Sequence, residues 1–156
     1  MASASSQSSA ASPSPEQSDI RWLQRFDNLE RALAQLQAAI KAQGNSPEQE
    51  LFAIALIKAY EFCFELSWKT LKDLLASNGI DAKLPRDVLK QAFSTGLIEN
   101  GQLWIDMLEQ RNLMAHTYDQ AKAQQASELI RNLYWPELQR LQQGLRQRRA
   151  AGGGRP

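Results

Sequence analysis

Between about Asp19 and Ala42 the large apolar positions Phe26, Leu29, Leu33, Leu36 and Ile40 recur at steps of 3, 4, 3 and 4 residues. That period predicts an amphipathic helix with one apolar seam, and Ser18 stands where a side chain can cap its first turn. Gly44 ends the pattern. Ser46-Pro47-Glu48-Gln49 then offers an N-cap, a proline at the first helical position and a capping-box partner. A second helix is therefore predicted from near Pro47 to Asn78-Gly79. It carries Leu51, Ile54, Leu56, Ile57, Tyr60, Phe62, Phe64, Leu66, Trp68, Leu71, Leu74 and Leu75. Its roughly thirty residues, at 1.5 Å each, make a rod of about 45 Å.

Pro85 opens a short third helix through Val88, Leu89 and Phe93 until Gly96, and Asn100-Gly101 marks a turn. A fourth helix is predicted from Leu103 to about His116. A fifth runs from Ala121 to Leu145 through Ala126, Leu129, Ile130, Leu133, Leu138 and Leu141. Pro136 lies inside it and removes a backbone donor, which predicts a kink or break near Tyr134 and Trp135. The expected fold class is all-α, an up-and-down helical bundle of four long helices plus one short helix. Composition agrees: 21 Ala and 21 Leu stand against 12 Val, Ile and Thr together, a balance that favours helix over sheet.

The 156 residues fit one domain. Residues 1–17 hold no large apolar side chain after Met1 and are expected to be a disordered Ser/Ala-rich tail. Residues 18–148 form the bundle, and 149–156, with three consecutive glycines, form a disordered Gly/Arg tail. The net charge of +1 conceals an excess of four arginines at the C-terminal end, Arg146, Arg148, Arg149 and Arg155. Without them and Glu16, the only charge of the N-terminal tail, the body carries −2. Such a body does not favour nucleic acid through its overall field, so any RNA contact is local. The arginines themselves read either as a solvated helix end that complements the helix dipole or as an RNA-binding arm.

One Cys excludes an intrachain disulfide, and one Cys with one His cannot build a Cys/His zinc site within the chain. No apolar run approaches about 18 residues, and residues 1–18 lack the basic and apolar regions of a signal peptide. A cytoplasmic protein without a membrane partner is expected.

No GxxxxGK loop, GxGxxG turn or HExxH helix is present. His116 is the single histidine, so any imidazole chemistry passes through it. It lies in Arg111-Asn112-Leu113-Met114-Ala115-His116-Thr117-Tyr118-Asp119, a polar stretch for a bundle. Continued as a helix at about 100° per residue, this stretch spreads Tyr118, Arg111, Asp119, Asn112 and His116 over one crescent, with Ala115 in its middle. Leu113 and Met114 fall on the other side, toward the core. The crescent can line a cleft, or it can be a capped helix end with surface hydrogen bonds. On the second helix Glu61, Glu65 and Lys69 recur at every fourth residue, where Glu65 can pair with Lys69. By itself this is a solvated stripe. Trp68 and the phenylalanines read as core, and Cys63 as a small buried filler.

The run Phe62-x-Phe64-Glu65-Leu66-x-Trp68-Lys69-Thr70-Leu71-Lys72 is followed by Pro85-Arg86-x-Val88, Ala92-Phe93, Gly96-Leu97-Ile98 and Trp104. Arg111-Asn112-x-x-x-His116-Thr117-Tyr118 completes the series. In this order the motifs resemble the HEPN family, and more narrowly its HepT-type members, also called nucleotidyltransferase substrate-binding proteins. The resemblance spans roughly residues 20 to 140, and Pro136 is a departure from it. It implies a homodimer in which Arg111 and His116 of both chains face one cleft. It also implies a metal-independent ribonuclease toxin that needs no cofactor and whose partner is a minimal nucleotidyltransferase antitoxin. In this family that partner is associated with transfer of AMP to the motif tyrosine, here Tyr118. An older family view makes the bundle a non-catalytic substrate-binding subunit of the transferase.

Under the ribonuclease reading Arg111 and His116 are the catalytic candidates, Asn112 and Asp119 support them, and Glu65 and Lys69 line the cleft. An imidazole suits acid–base work near neutral pH, and a permanently charged guanidinium suits a phosphorane. If both the acid and the base are histidines, one His per chain makes the dimer part of the mechanism. RNA is the expected substrate and DNA is not. Two rivals are a nucleotide-binding module that cleaves nothing and a structural adaptor whose apolar faces only dimerise.

Overall fold

A computed structural model describes residues 14–43, 49–114 and 120–152. Helix α1 spans Pro15–Gln43 and so starts at Pro15 rather than near Asp19. Ser14, not Ser18, is the cap. Its hydroxyl accepts from the Gln17 N–H at 3.3 Å while its own N–H donates to Gln17 Oε1 at 3.2 Å, a reciprocal capping box with proline at the first helical position. The predicted seam is the buried one: Phe26, Leu29, Leu33 and Leu36 are buried, joined by Trp22 and Ala32, and Ile40 is half-buried. Residues 1–13, 44–48, 115–119 and 153–156 lie outside the described residues, and with them most of the expected N-terminal tail, half of the expected C-terminal tail and the predicted Ser46 cap.

Helix α2 spans Gln49–Ser77 and runs antiparallel to α1, since Arg25 near the start of α1 pairs at 2.6 Å with Asp73 near the end of α2. Ser67 and Thr70 are buried in α2, each donating its hydroxyl to a carbonyl one turn back, Cys63 O at 2.7 Å and Leu66 O at 2.6 Å. Leu56, Ile57, Tyr60, Phe64, Leu71, Leu74 and Leu75 fill the core. Leu51, Ile54 and Phe62 do not. They are exposed, Phe62 to 57%, because apolar residues occupy more of the helix than the one side that α1 and the later helices cover.

Both α2 and α3 (Pro85–Ser94) end in glycine-capped turns of one design. Gly79 at φ +82° and Gly96 at φ +80° take the left-handed conformation that other residues rarely adopt. Ile80 N donates to Leu75 O at 2.9 Å and Leu97 N to Ala92 O at 2.8 Å, which close the two Schellman motifs. Helix α4, Gly101–Met114, begins under an Asn100 cap whose Oδ1 accepts from Leu103 N at 3.1 Å.

The chain is helical again from Gln120. Helix α5, Gln120–Leu129, passes through a π turn, Ile130–Tyr134, into α6, Trp135–Gly152. The break predicted from Pro136 therefore takes the form of a widened turn, in which Trp135 N donates to Ile130 O, five residues back. In a regular helix the proline ring would meet the carbonyl four residues earlier, and the widened turn removes that clash. It also resets the buried face. Ala126, Ile130, Tyr134 and Leu138 are buried at successive four-residue steps, which in a regular helix would drift by about 120° in all. Leu133, expected in the core, is exposed.

Helix α6 is tied to its neighbours through polar contacts. Trp104 Nε1 donates to the buried Glu137 Oε1 at 3.1 Å, and Arg140 pairs with the other oxygen at 2.8 Å. Arg149 pairs with Asp27 at 3.3 Å and lies 4.9 Å from the Phe26 ring, and Arg146 pairs with Glu30. Two of the four C-terminal arginines thus hold α6 against α1. Among the described residues every regular element is a helix, in the predicted bundle class, and no helix is long and apolar enough to cross a membrane.

Candidate functional site

The site is built where the middle of α2 meets the last turn of α4. Tyr60 is fully buried, its ring stacked on Tyr134 with centroids 5.4 Å apart, and its hydroxyl donates to Met107 O at 2.9 Å. In a helix that carbonyl also accepts the N–H of residue 111, so the tyrosine pins the turn from which Arg111 projects. Burial, then the neighbouring Tyr134, push the Tyr60 hydroxyl well above its usual pKa, while Arg111 pulls the other way. Tyr60 is a neutral donor.

Arg111 crosses to α2. Its Nη2 meets Glu65 Oε2 at 2.9 Å, and its Nη1 makes a long 3.4 Å contact with Asn112 Oδ1. Glu65 serves two more donors: Lys69 Nζ lies 3.0 Å from Oε1, and Trp68 Nε1 donates to Oε2 at 3.1 Å. Burial raises the Glu65 pKa, but the hydrogen bonds from Lys69 and Trp68 and the charges of Lys69 and Arg111 outweigh it and leave the carboxyl below its usual value. The predicted Glu65–Lys69 pair is present. The solvated stripe is not, because Glu65 is the node of a three-donor cluster linking two helices. Glu61, one turn earlier, has Lys58 at 3.4 Å on one oxygen and no hydrogen-bond partner for Oε1 among the described residues.

The cluster joins Arg111, Asn112, Glu65 and Lys69, four of the residues singled out in the sequence. His116, Tyr118 and Asp119 lie outside the described residues. Met114 is buried as expected, but Leu113 is 62% exposed rather than in the core. From the sequence, Trp68 and Tyr60 are packing residues only. The spacing Glu65-x-x-Trp68 signals the contact Trp68 makes, since side chains three apart share a helix face. The contact from Tyr60 to Met107 spans 47 positions and leaves no local signal. Cys63 is buried as expected, and its thiol is pushed up to about 12 by burial.

The arrangement offers cations to an anion. Two positive groups share one carboxylate, and the side chains of Arg111 and Lys69 remain 36% and 38% exposed. Of the five N–H donors of Arg111, two are engaged by partners among the described residues. Among the described residues no group of three or more His, Cys, Asp or Glu side chains stands placed to hold a metal ion.

Fold and cluster define an all-α bundle protein with a cationic, solvent-facing site at the α2–α4 junction. The chain belongs to the nucleotidyltransferase substrate-binding protein-like family, whose profile matches residues 24–147. This is the family to which the order of motifs points. A protein of Haemophilus influenzae called probable ribonuclease HepT is 35% identical over 80 residues, 48% of this chain and 55% of that protein. The chain thus spans about half the length of the curated relative it matches. A crystal structure of a protein from Thermus thermophilus is similar at a TM-score of 0.63 and 28% identity, covering 77% of this chain and 97% of that one.

Proposed function

We propose that this chain is a metal-independent endoribonuclease toxin of a type VII-like toxin–antitoxin pair, acting in the cytoplasm as a homodimer. The observation that carries the proposal is the 2.9 Å Arg111–Glu65 contact, which fixes a permanently charged guanidinium at a half-exposed surface five residues before the only histidine. The name of the Haemophilus influenzae relative supports the same reaction class. In this reaction a base takes the proton of the substrate's 2′-hydroxyl, and the freed oxygen attacks the adjacent phosphorus. The phosphorane collapses as an acid protonates the departing 5′-oxygen. The products are a 2′,3′-cyclic phosphate and a 5′-hydroxyl. His116 is the acid–base group and Arg111 the stabiliser of the phosphorane. Asn112 and Asp119 orient them. The partner is a minimal nucleotidyltransferase that neutralises the toxin by transferring AMP to Tyr118.

A second reading is favoured by the family's description, substrate binding: the cationic site holds a nucleotide for the partner transferase and cleaves nothing. Purified protein incubated with RNA in the presence of EDTA separates the two. Fragments ending in cyclic phosphate, lost in both Arg111→Ala and His116→Ala, support the ribonuclease. Intact RNA, with nucleotide binding that Arg111→Ala abolishes, supports the binding subunit.

A further inference from the structure

Glu65 has an arrangement that catalysis alone does not require of a cleft-lining carboxylate. Three donors converge on its two oxygens: Arg111 Nη2 at 2.9 Å and Trp68 Nε1 at 3.1 Å on one, Lys69 Nζ at 3.0 Å on the other. A carboxylate engaged in this way is a poor proton acceptor, so Glu65 has no place as the general base. It can set geometry. Its side chain is 29% exposed, less than either cation it holds, so it lies beneath them and they face solvent. Arg111 alone would place one positive charge on a long, rotatable stem. Sharing a carboxylate brings a second cation, from a different helix, to within one carboxylate's width of it. The three charged groups sum to a local excess of one positive charge, in a chain whose body is otherwise slightly acidic.

We propose that Glu65 is a positioning residue that clamps Arg111 and Lys69 into a paired cation site for one backbone phosphate of single-stranded RNA, with Lys69 the second phosphate ligand. The substrate class rests on the ribonuclease reading, but the paired site does not depend on cleavage. The two cations flank one carboxylate much as they would flank the two non-bridging oxygens of a phosphodiester. Arg111 supplies a planar fork and Lys69 a point charge, so their losses have different effects. Lys69 adds binding to ground state and transition state alike. Glu65 acts through the orientation of Arg111, where a displacement of about 1 Å costs on the order of 100-fold in rate. Trp68 locks the carboxylate by a neutral hydrogen bond.

The test uses full-length protein and one single-stranded RNA oligonucleotide, with cleavage followed in wild type and binding in a His116→Ala background. Lys69→Gln raises KM several-fold with kcat nearly unchanged and lowers the slope of log affinity against log salt by about 0.7, the share of one phosphate contact on a single strand. Lys69→Arg restores both. Glu65→Gln lowers kcat on the order of 100-fold with a smaller effect on KM. If Glu65→Gln fails to fold, Trp68→Phe carries that arm, with a several-fold loss of kcat. An unchanged salt slope in Lys69→Gln, or wild-type kcat in folded Glu65→Gln, overturns the proposal. If wild type binds the oligonucleotide without cutting it, the ribonuclease reading fails. The paired site then stands or falls on the Lys69→Gln salt slope. Absence of RNA binding overturns both.

Discussion

The Tyr60 hydroxyl donates to the Met107 carbonyl at 2.9 Å inside the core, linking the middle of α2 to the turn of α4 that precedes Arg111. The two residues are 47 positions apart, and their contact is the buried counterpart of the Glu65–Arg111 pair at the surface one turn further on. One contact fixes the backbone from which the arginine projects, and the other fixes the arginine's tip.

Tyr60→Phe removes the buried hydroxyl and leaves the ring stack with Tyr134 in place. The Met107 carbonyl keeps its helical backbone partner, so the expected loss is about 1 kcal/mol, the net worth of one buried hydrogen bond. Denaturant unfolding measures it. Cleavage should fall as well, because the turn carrying Arg111 loses its anchor. A variant with wild-type stability would show that the hydroxyl contributes nothing to the bundle.

Glu65 makes stability depend on acid pH, and the sign follows from its lowered pKa. A carboxylate held below its unfolded value of about 4.3 stabilises the fold above that value and loses the contribution as pH falls through the folded pKa. Among the described residues, the groups facing it are Lys69 and Trp68 on α2 and Arg111 on α4, with Glu61 one turn away. Arg111, Lys69 and Glu61 are common to both proteins if wild type is compared with Glu65→Gln, so the difference between the two reports Glu65. Wild type should be the more stable at pH 7, and the difference should shrink as pH falls below about 4.3 and through the folded pKa. Thermal midpoints across that range check it. A difference that grows on acidification would mean the carboxylate is not held in its charged form.

Cys63 sits in the aromatic part of α2, fully buried, with a thiol pushed up to about 12. The reactive species is the thiolate, so a thiol reagent at pH 8 should leave native protein unlabelled and modify it only through opening of the bundle. The labelling rate should rise with denaturant in step with unfolding. Rapid labelling of native protein would place Cys63 at a surface.

The sequence carries the tetrapeptide Ser-Pro-Glu-Gln twice, at 14–17 and at 46–49. Capping logic reads the second as a helix start. The first, placed in a Ser/Ala-rich stretch, hides behind its composition, yet it caps α1 through the reciprocal bonds of Ser14 and Gln17. The seam from Phe26 to Leu36 and the two glycine caps are legible because each is a local pattern. Phe62, Leu113 and Leu133 depart from expectation for one reason: periodicity shows that a residue is apolar and which side it shares, but not whether another helix covers that side. Pro136 announces a fault in its helix without specifying that a π turn absorbs it. At the site, Glu65–Lys69 follows from spacing. The Arg111–Glu65 pair links two helices and emerges only once they are packed.

Tyr118 is the proposed point of control. At helical spacing, position 118 returns to the side of Arg111, two turns on. Transfer of AMP to its hydroxyl forms a phosphodiester with about one negative charge and adds a bulky nucleoside. Arg111 and Lys69, which share the Glu65 carboxylate, form a site on the described surface that suits such a phosphate. The modified tyrosine would occupy the place meant for RNA, and inhibition would be competitive in origin. Incubation with the partner transferase and ATP should add one or more AMP units to wild type by intact-mass spectrometry, abolishing cleavage. Tyr118→Phe should gain no mass and stay active in the partner's presence. An AMP gain that persists in Tyr118→Phe would assign the acceptor to another residue, and a full gain that leaves cleavage intact would show that the modification does not reach the Arg111 site.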